Sequence, residues 1–225
     1  MNANSHPPRP PAELTVGTHL LPEDGACLME RVSALAEEPW TDHPVTTHPL
    51  LAHLGRLVND AMSPIGRQAL IALGPRLRGL DSKEPSISAA VAELSTGCAL
   101  RLRPSLRLAW MHRAARHRLD VEAAGPGQAR SAVSRLRRTV YDHGPAHRAV
   151  ETAVIALART PDADRDLLQL LERAVALLES HVGTGADCRA HVDEAGCGEV
   201  ADGSDHDSSL PITMPSPQPP SWHHP

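Results

Sequence analysis

The sequence predicts an all-α protein: a single irregular helical bundle of about seven or eight short helices, with disordered N- and C-terminal tails. Three observations carry that prediction. Leu, Ala and Val recur at spacings of three and four through most of residues 22–182, the period of a helix with one buried face. Pro and Gly mostly stand between those stretches, where helices start and stop. Aromatic residues are nearly absent, with no Phe, one Tyr and three Trp in 225 residues, so the side chains that strands favour are missing. The expected organisation is an arm over 1–21, a helical domain over 22–182, and an acidic, Pro-rich tail over 183–225.

Each helix has its own warrant. The first is expected to begin near Asp24 as cap and to stop before Pro39, with Leu28, Met29, Val32, Leu35 and Ala36 as its stripe. Glu30, Glu37 and Glu38 fall on its polar side and read as a solvated face. After a loop over 39–48, Pro49 takes the first position of a second helix striped by Leu50, Leu51, Leu54, Leu57 and Val58. Ser63-Pro64 starts a third, short helix, broken at Gly74-Pro75. From Ser86 the spacing of Ile87, Val91, Leu94, Cys98 and Leu102 is helical again. Pro104 either kinks this helix or separates it from another begun by Ser105. A helix through Tyr141 is expected after Gly125-Pro126-Gly127, and Gly144-Pro145 opens the next. The last helix is expected to start with Thr160 as cap, Pro161 first and Asp162 and Asp164 in its first turn, and to end at Gly183. Its a/d-like apolar-face series is Leu167, Leu171, Ala174, Leu178 and His181.

Charge is unevenly placed. The chain carries −5 overall, yet residues 101–148 hold 11 basic and 3 acidic groups, while 181–225 hold 1 and 7. A basic block of this kind can meet nucleic acid or an acidic partner, or it can be neutralised by the chain's own acidic last helix and tail. No apolar stretch is long enough to span a membrane, and the polar, Pro-rich start has no apolar segment of a secretory signal. Four scattered cysteines demand no oxidising compartment, so the expected location is cytoplasmic.

Candidate chemistry is sparse, and no catalytic motif is found: there is no phosphate loop, nucleophile elbow or paired metal motif. Cys27, His43 and His48, with His53 as a further neighbour, are zinc-ligand types that a loop between two helices could bring together. Against this, an isolated Cys is often a small buried hydrophobe, and His48 before Pro49 also suits the end of the second helix. The same Cys27 near a helix start would have a lowered pKa and could act as a nucleophile with His43 or His48 as base. In the tail, Cys188-x-x-His191 with Cys197 and His206 fits no common structural zinc spacing.

Two stretches carry a resemblance. They are Asp24, Gly25, Cys27, Leu28, Met29 and Glu30, followed by Asp42, His43, Pro44, His48, Pro49, Asn59 and Asp60, and then 144–151, GPAHRAVE. On these residues the chain resembles a family of small uncharacterised, all-helical proteins of actinomycete-type genomes, with no known activity. The resemblance implies a single helical domain and lends no chemistry. Members of that family often carry Cys where this chain has Thr46, a departure that weakens a metal reading there.

The functional expectation is a non-enzymatic interaction or regulatory module with a protein partner. Nucleic-acid association through the 101–148 arginines is the alternative, and zinc binding through Cys27, His43 and His48 the weaker one. Large anchors are scarce without Phe, which directs attention to Trp40, Trp110, Arg107, Arg113, Arg116, Arg135 and Arg138 as partner-binding residues.

Overall fold

A computed structural model describes residues 13–123, 136 and 139–193, with side-chain surroundings as far as 182. The elements are α1 (Leu28–Leu35), α2 (Pro49–Ala61), the single turns α3 (Pro64–Arg67) and α4 (Gly74–Leu77), then α5 (Ile87–Leu102), α6 (Leu106–Ala123), α7 (His147–Leu157) and α8 (Ala163–Asp193). No β-strand occurs among the described residues, only an isolated bridge between Thr47 and Leu80. The expected all-α class is the observed one. No helix among the described residues is long and apolar enough to cross a membrane.

The core is built as composition requires, from Leu, Ala, Val and Ile. α5 lies at its centre and is buried on nearly every side by Ile87, Ala89, Val91, Ala92, Cys98 and Ala99. Its buried hydroxyls, Ser95 and Thr96, donate to the carbonyls of Val91 and Ala92 at 2.7 Å, so no polar group is stranded. Around α5 pack α2, α6, α7 and α8. In the series on α8, Leu167, Leu171, Ala174 and Leu178 are buried as the spacing predicts, while His181, its last member, is only partly buried.

Helix starts follow local chemistry. His48 caps α2 ahead of Pro49, and Ser63 caps α3 ahead of Pro64. Pro104 separates two helices, α5 ending at Leu102 and α6 starting at Leu106. Before α7 the backbone makes a π turn over Asp142–Ala146, where Pro145 has no N–H to give to a regular ladder.

Several expected boundaries move. α1 starts at Leu28 with Cys27 as its cap, because Pro22–Asp24 forms a separate 3-10 turn and Gly25 (φ 129°) reverses the chain before the helix. α8 starts at Ala163, two residues after Pro161, with Thr160 bonded to Asp166 at 2.8 Å. Its backbone also passes Gly183 and stays helical to Asp193, since a glycine ends a helix only where it turns left-handed. Residues 14–19, expected to lie in the arm, are instead tied to the helical domain. Leu14 is fully packed into the core, and Gln68 clamps its backbone on both sides, accepting from Leu14 N at 2.9 Å and donating to its carbonyl at 3.0 Å. Residues 1–12, the Gly125-Pro126-Gly127 turn and residues 194–225 lie outside the described residues.

Candidate interaction site

Part of the motif, Gly25, Cys27, Leu28, Glu30 and Asn59, meets residues 14–19 in one buried seam between the start of α1 and the end of α2. Glu30 is its centre. Read as a solvated residue, it is instead 0% exposed. Its carboxylate accepts from the backbone N–H of Cys27 at 2.7 Å, from that of His19 at 2.5 Å, and from His19 Nδ1 at 2.9 Å. Glu30 N–H in turn bonds Cys27 Sγ at 3.4 Å, completing a reciprocal cap on α1. Asn59 fastens the other side, accepting from Leu28 N–H at 3.2 Å and donating to Thr15 O at 2.8 Å. Any Cβ at Gly25 would lie 2.5 Å from Thr15 Oγ1 and 3.0 Å from His19 Nε2, so the approach needs glycine.

This geometry gives each candidate ligand a local task. Cys27 caps α1, and burial pushes its thiol up to about 12, the reverse of the activation expected for a nucleophile at a helix start. His43 is exposed and its Nδ1 bonds Asp42 at 2.6 Å. Burial raises the Asp42 carboxyl, but hydrogen bonds from His43 and Thr18 outweigh it and hold the group below its usual range. His48 Nδ1 accepts from Leu50 N–H at 3.2 Å, and burial lowers its pKa to about 4. His53 turns to α7, with Nε2 3.3 Å from Glu151 and its ring 4.6 Å from that of His147. The structure therefore does not bring Cys27, His43 and His48 together. Among the described residues no three His, Cys, Asp or Glu form a group able to hold a metal ion. The side chains of Cys188 and His191, like Cys197 and His206, lie outside the described residues.

Trp40 also serves the seam. It is half-buried, and its Nε1 donates to His19 O at 2.9 Å, which makes it a pin for the N-terminal segment. The remaining described partner-binding candidates are on α6 and sit differently. On this helix only Leu108 and Ala115 are buried, both facing α5. The opposite side presents Leu106 (91% exposed) and Trp110 (71% exposed) one turn apart, followed by Arg113, His117 and Val121. Arg107 and Arg116 flank that row and are exposed, while Arg135 and Arg138 lie outside the described residues.

Beside this row run two clefts between α6 and the α7 segment. One, of about 670 Å³, is lined by Leu102, Arg103, Arg107, Ile155 and Arg159 among others. The second, of about 230 Å³, lies between Trp110, Met111, Tyr141, Pro145 and Arg148. Arg107 borders both and joins them into one groove. Burial raises the Tyr141 hydroxyl to about 12, so it stays neutral, with the Arg118 guanidinium 5.8 Å from its ring.

Among the described side chains, no carboxylate of the acidic last helix pairs with these arginines. Glu179 pairs with Arg76 on α4 at 2.7 Å; Asp164 bonds Ser63; Asp162 and Asp166 pair with Arg165. Among the described residues, the guanidinium groups of Arg103, Arg107, Arg113, Arg116, Arg148 and Arg159 have no ion-pair or hydrogen-bond partner. The signal available in the sequence was the Leu106–Trp110 spacing against the Arg-rich flanks. What spacing could not show is that Asp164, Asp166 and Glu179 of α8 are committed elsewhere.

Compared with protein-family models, with curated proteins and with solved structures, the chain matches none.

Proposed function

We propose that this protein is a non-enzymatic interaction module that binds a partner through the face of α6 and its groove with α7. The observation that carries this reading is an exposed apolar row, Leu106 and Trp110, set among arginines with no acidic partner among the described residues. Exposed apolar area with a charged rim is what recognition surfaces present, and Trp and Arg are the residue types that dominate them. A cytoplasmic setting suits the free thiols of Cys27 and Cys98, the cysteines whose side chains are among the described residues. The polar groups of the seam around Glu30 are engaged in holding the N-terminal segment.

The test is capture with a photo-crosslinker placed at Arg116, in cells, comparing the native chain with Leu106→Ala/Trp110→Ala. A discrete adduct that the double variant loses supports the reading. A strict monomer with no adduct in either form overturns it.

A second reading is association with nucleic acid, favoured by Arg107, Arg113 and Arg116 lying unpaired along one helix beside Trp110. It requires an oligonucleotide mobility shift at low salt that fades steeply as salt rises.

A further inference from the structure

We infer that the α6 face receives an acidic amphipathic helix of a protein partner, a statement that rests on the interaction reading above and names the chemistry of the occupant. Three features of the surface select that chemistry. The first is its apolar content. Leu106 and Trp110 stand out from α6, and the cleft beside them is edged by Leu102 and Ile155, 50% and 53% exposed. Leu102 and Ile155 at the large cleft, Trp110 at the small one and Leu106 on the outer face of α6 give a partner apolar surface to bury. A phosphate backbone offers them nothing, and aliphatic Leu and Ile cannot stack on bases as Trp110 can.

The second feature is charge. Arg103, Arg107 and Arg159 border the large cleft, Arg107 and Arg148 border the small one, and Arg113 continues the row along α6. None has a carboxylate partner among the described residues. The guanidinium fork accepts carboxylates in a bidentate geometry, so Glu or Asp on both margins of a docked segment would complete this rim. Glu151, the one acid in the large cleft, already faces His53 at 3.3 Å on the α2 side.

The third feature is shape. The exposed row Leu106, Trp110, Arg113, His117, Val121 follows a single helix face over 15 steps of the chain, roughly 22 Å at the α-helical rise. No strand edge is present among the described residues to receive an extended peptide. A helix of about four turns laid beside α6, its apolar stripe on Leu106 and Trp110 and its acids toward the arginines, matches the length and the groove.

The experiment is selection of displayed random 20-residue peptides on the full chain, with an oligo-dT 20-mer measured in parallel by fluorescence anisotropy. Recovered peptides are expected to carry apolar residues at helical spacing flanked by Glu and Asp. Their affinity should drop at least tenfold on Arg103→Glu/Arg107→Glu, drop similarly on Leu106→Ala/Trp110→Ala, and weaken with salt. Both variants alter exposed side chains, and their melting curves should superimpose on that of the native chain. Three outcomes overturn the inference. If the recovered peptides are neutral and apolar, and only Leu106→Ala/Trp110→Ala loses them, the acidic class falls while the interaction face stands. If binders ignore both variants, or none is recovered, the face itself falls, and the interaction reading with it. If oligo-dT binds more tightly than any peptide and the arginine variant abolishes that binding, the occupant is nucleic acid.

Discussion

His48 makes the stability of this protein sensitive to mild acid, and the size of the effect follows from its position. Its Nδ1 accepts the Leu50 N–H at 3.2 Å, so the ring caps α2 as the neutral, Nε2-protonated tautomer. Protonation would remove that acceptor and place a positive charge at the positive end of a helix, in a partly buried site. Burial is the largest cause of the lowered pKa, and Lys83 and His147 lower it further while Asp81 opposes them. With a folded value of about 4 against the ordinary 6.5, the folded state resists the proton that the unfolded chain accepts. The contribution is therefore complete above pH 6.5 and is lost as pH falls toward 4. It amounts to about 2 kcal/mol lost between pH 7.5 and 5, and about 3 kcal/mol by pH 4. His48→Asn keeps a capping oxygen and removes the titration. Urea unfolding of both chains at pH 7.5, 6 and 5, followed by circular dichroism, isolates the term, because every other titrating group is common to the pair. The native chain should lose about 2 kcal/mol more than the variant on acidification to pH 5. Parallel stability profiles would refute the argument.

Three further outcomes are expected. Gly25→Ala should cost about 2 kcal/mol or more in urea unfolding, since a φ of 129° and the 2.5 Å approach to Thr15 Oγ1 both exclude a Cβ; a change below about 0.5 kcal/mol would contradict the seam geometry. Glu30→Gln should cost about 1–3 kcal/mol, because an amide leaves one of three donors facing an N–H; unchanged unfolding would show that the carboxylate is dispensable. Cys27, its thiol held near 12, should react with iodoacetamide at pH 8 roughly three orders of magnitude more slowly than a free cysteine peptide. Peptide-resolved mass spectrometry checks this directly, and labelling of Cys27 at the free-thiol rate in folded protein would overturn it.

The local signals proved readable wherever neighbours in sequence supply the physics. Pro49 behind His48, Pro64 behind Ser63, and Pro104 between two apolar runs mark breaks that need no distant partner. The apolar stripe of α8 is buried for the same reason, since its period alone commits one side inward. Glu30, Trp40 and Leu14 were not readable. On a helical wheel Glu30 belongs with the polar residues of α1, and only the return of residues 14–19 across the helix start encloses it. Arg67 is a parallel case: it is buried because its guanidinium bonds the carbonyls of Asn59 and Met62 at 2.6 and 2.8 Å at the end of α2. Cys27, His43 and His48 carry the right atoms for a metal, yet the first and third are turned into caps by their own helices.

Composition and periodicity by themselves determined that this chain is helical, where most helices begin, and that its core is made of Leu and Ala. They also placed an arginine-rich segment in the middle of the chain. The tertiary structure decided which charges are spent. α8 directs Glu179 to Arg76 and Asp164 to Ser63, and of the α6 arginines only Arg118 pairs with a carboxylate, that of Glu122, while Arg107, Arg113 and Arg116 have none among the described residues. The same packing buries Glu30 and leaves Leu106 and Trp110 in solvent. Burial and ion pairing depend on which elements meet across long stretches of chain, and that information is a property of the packed helices together.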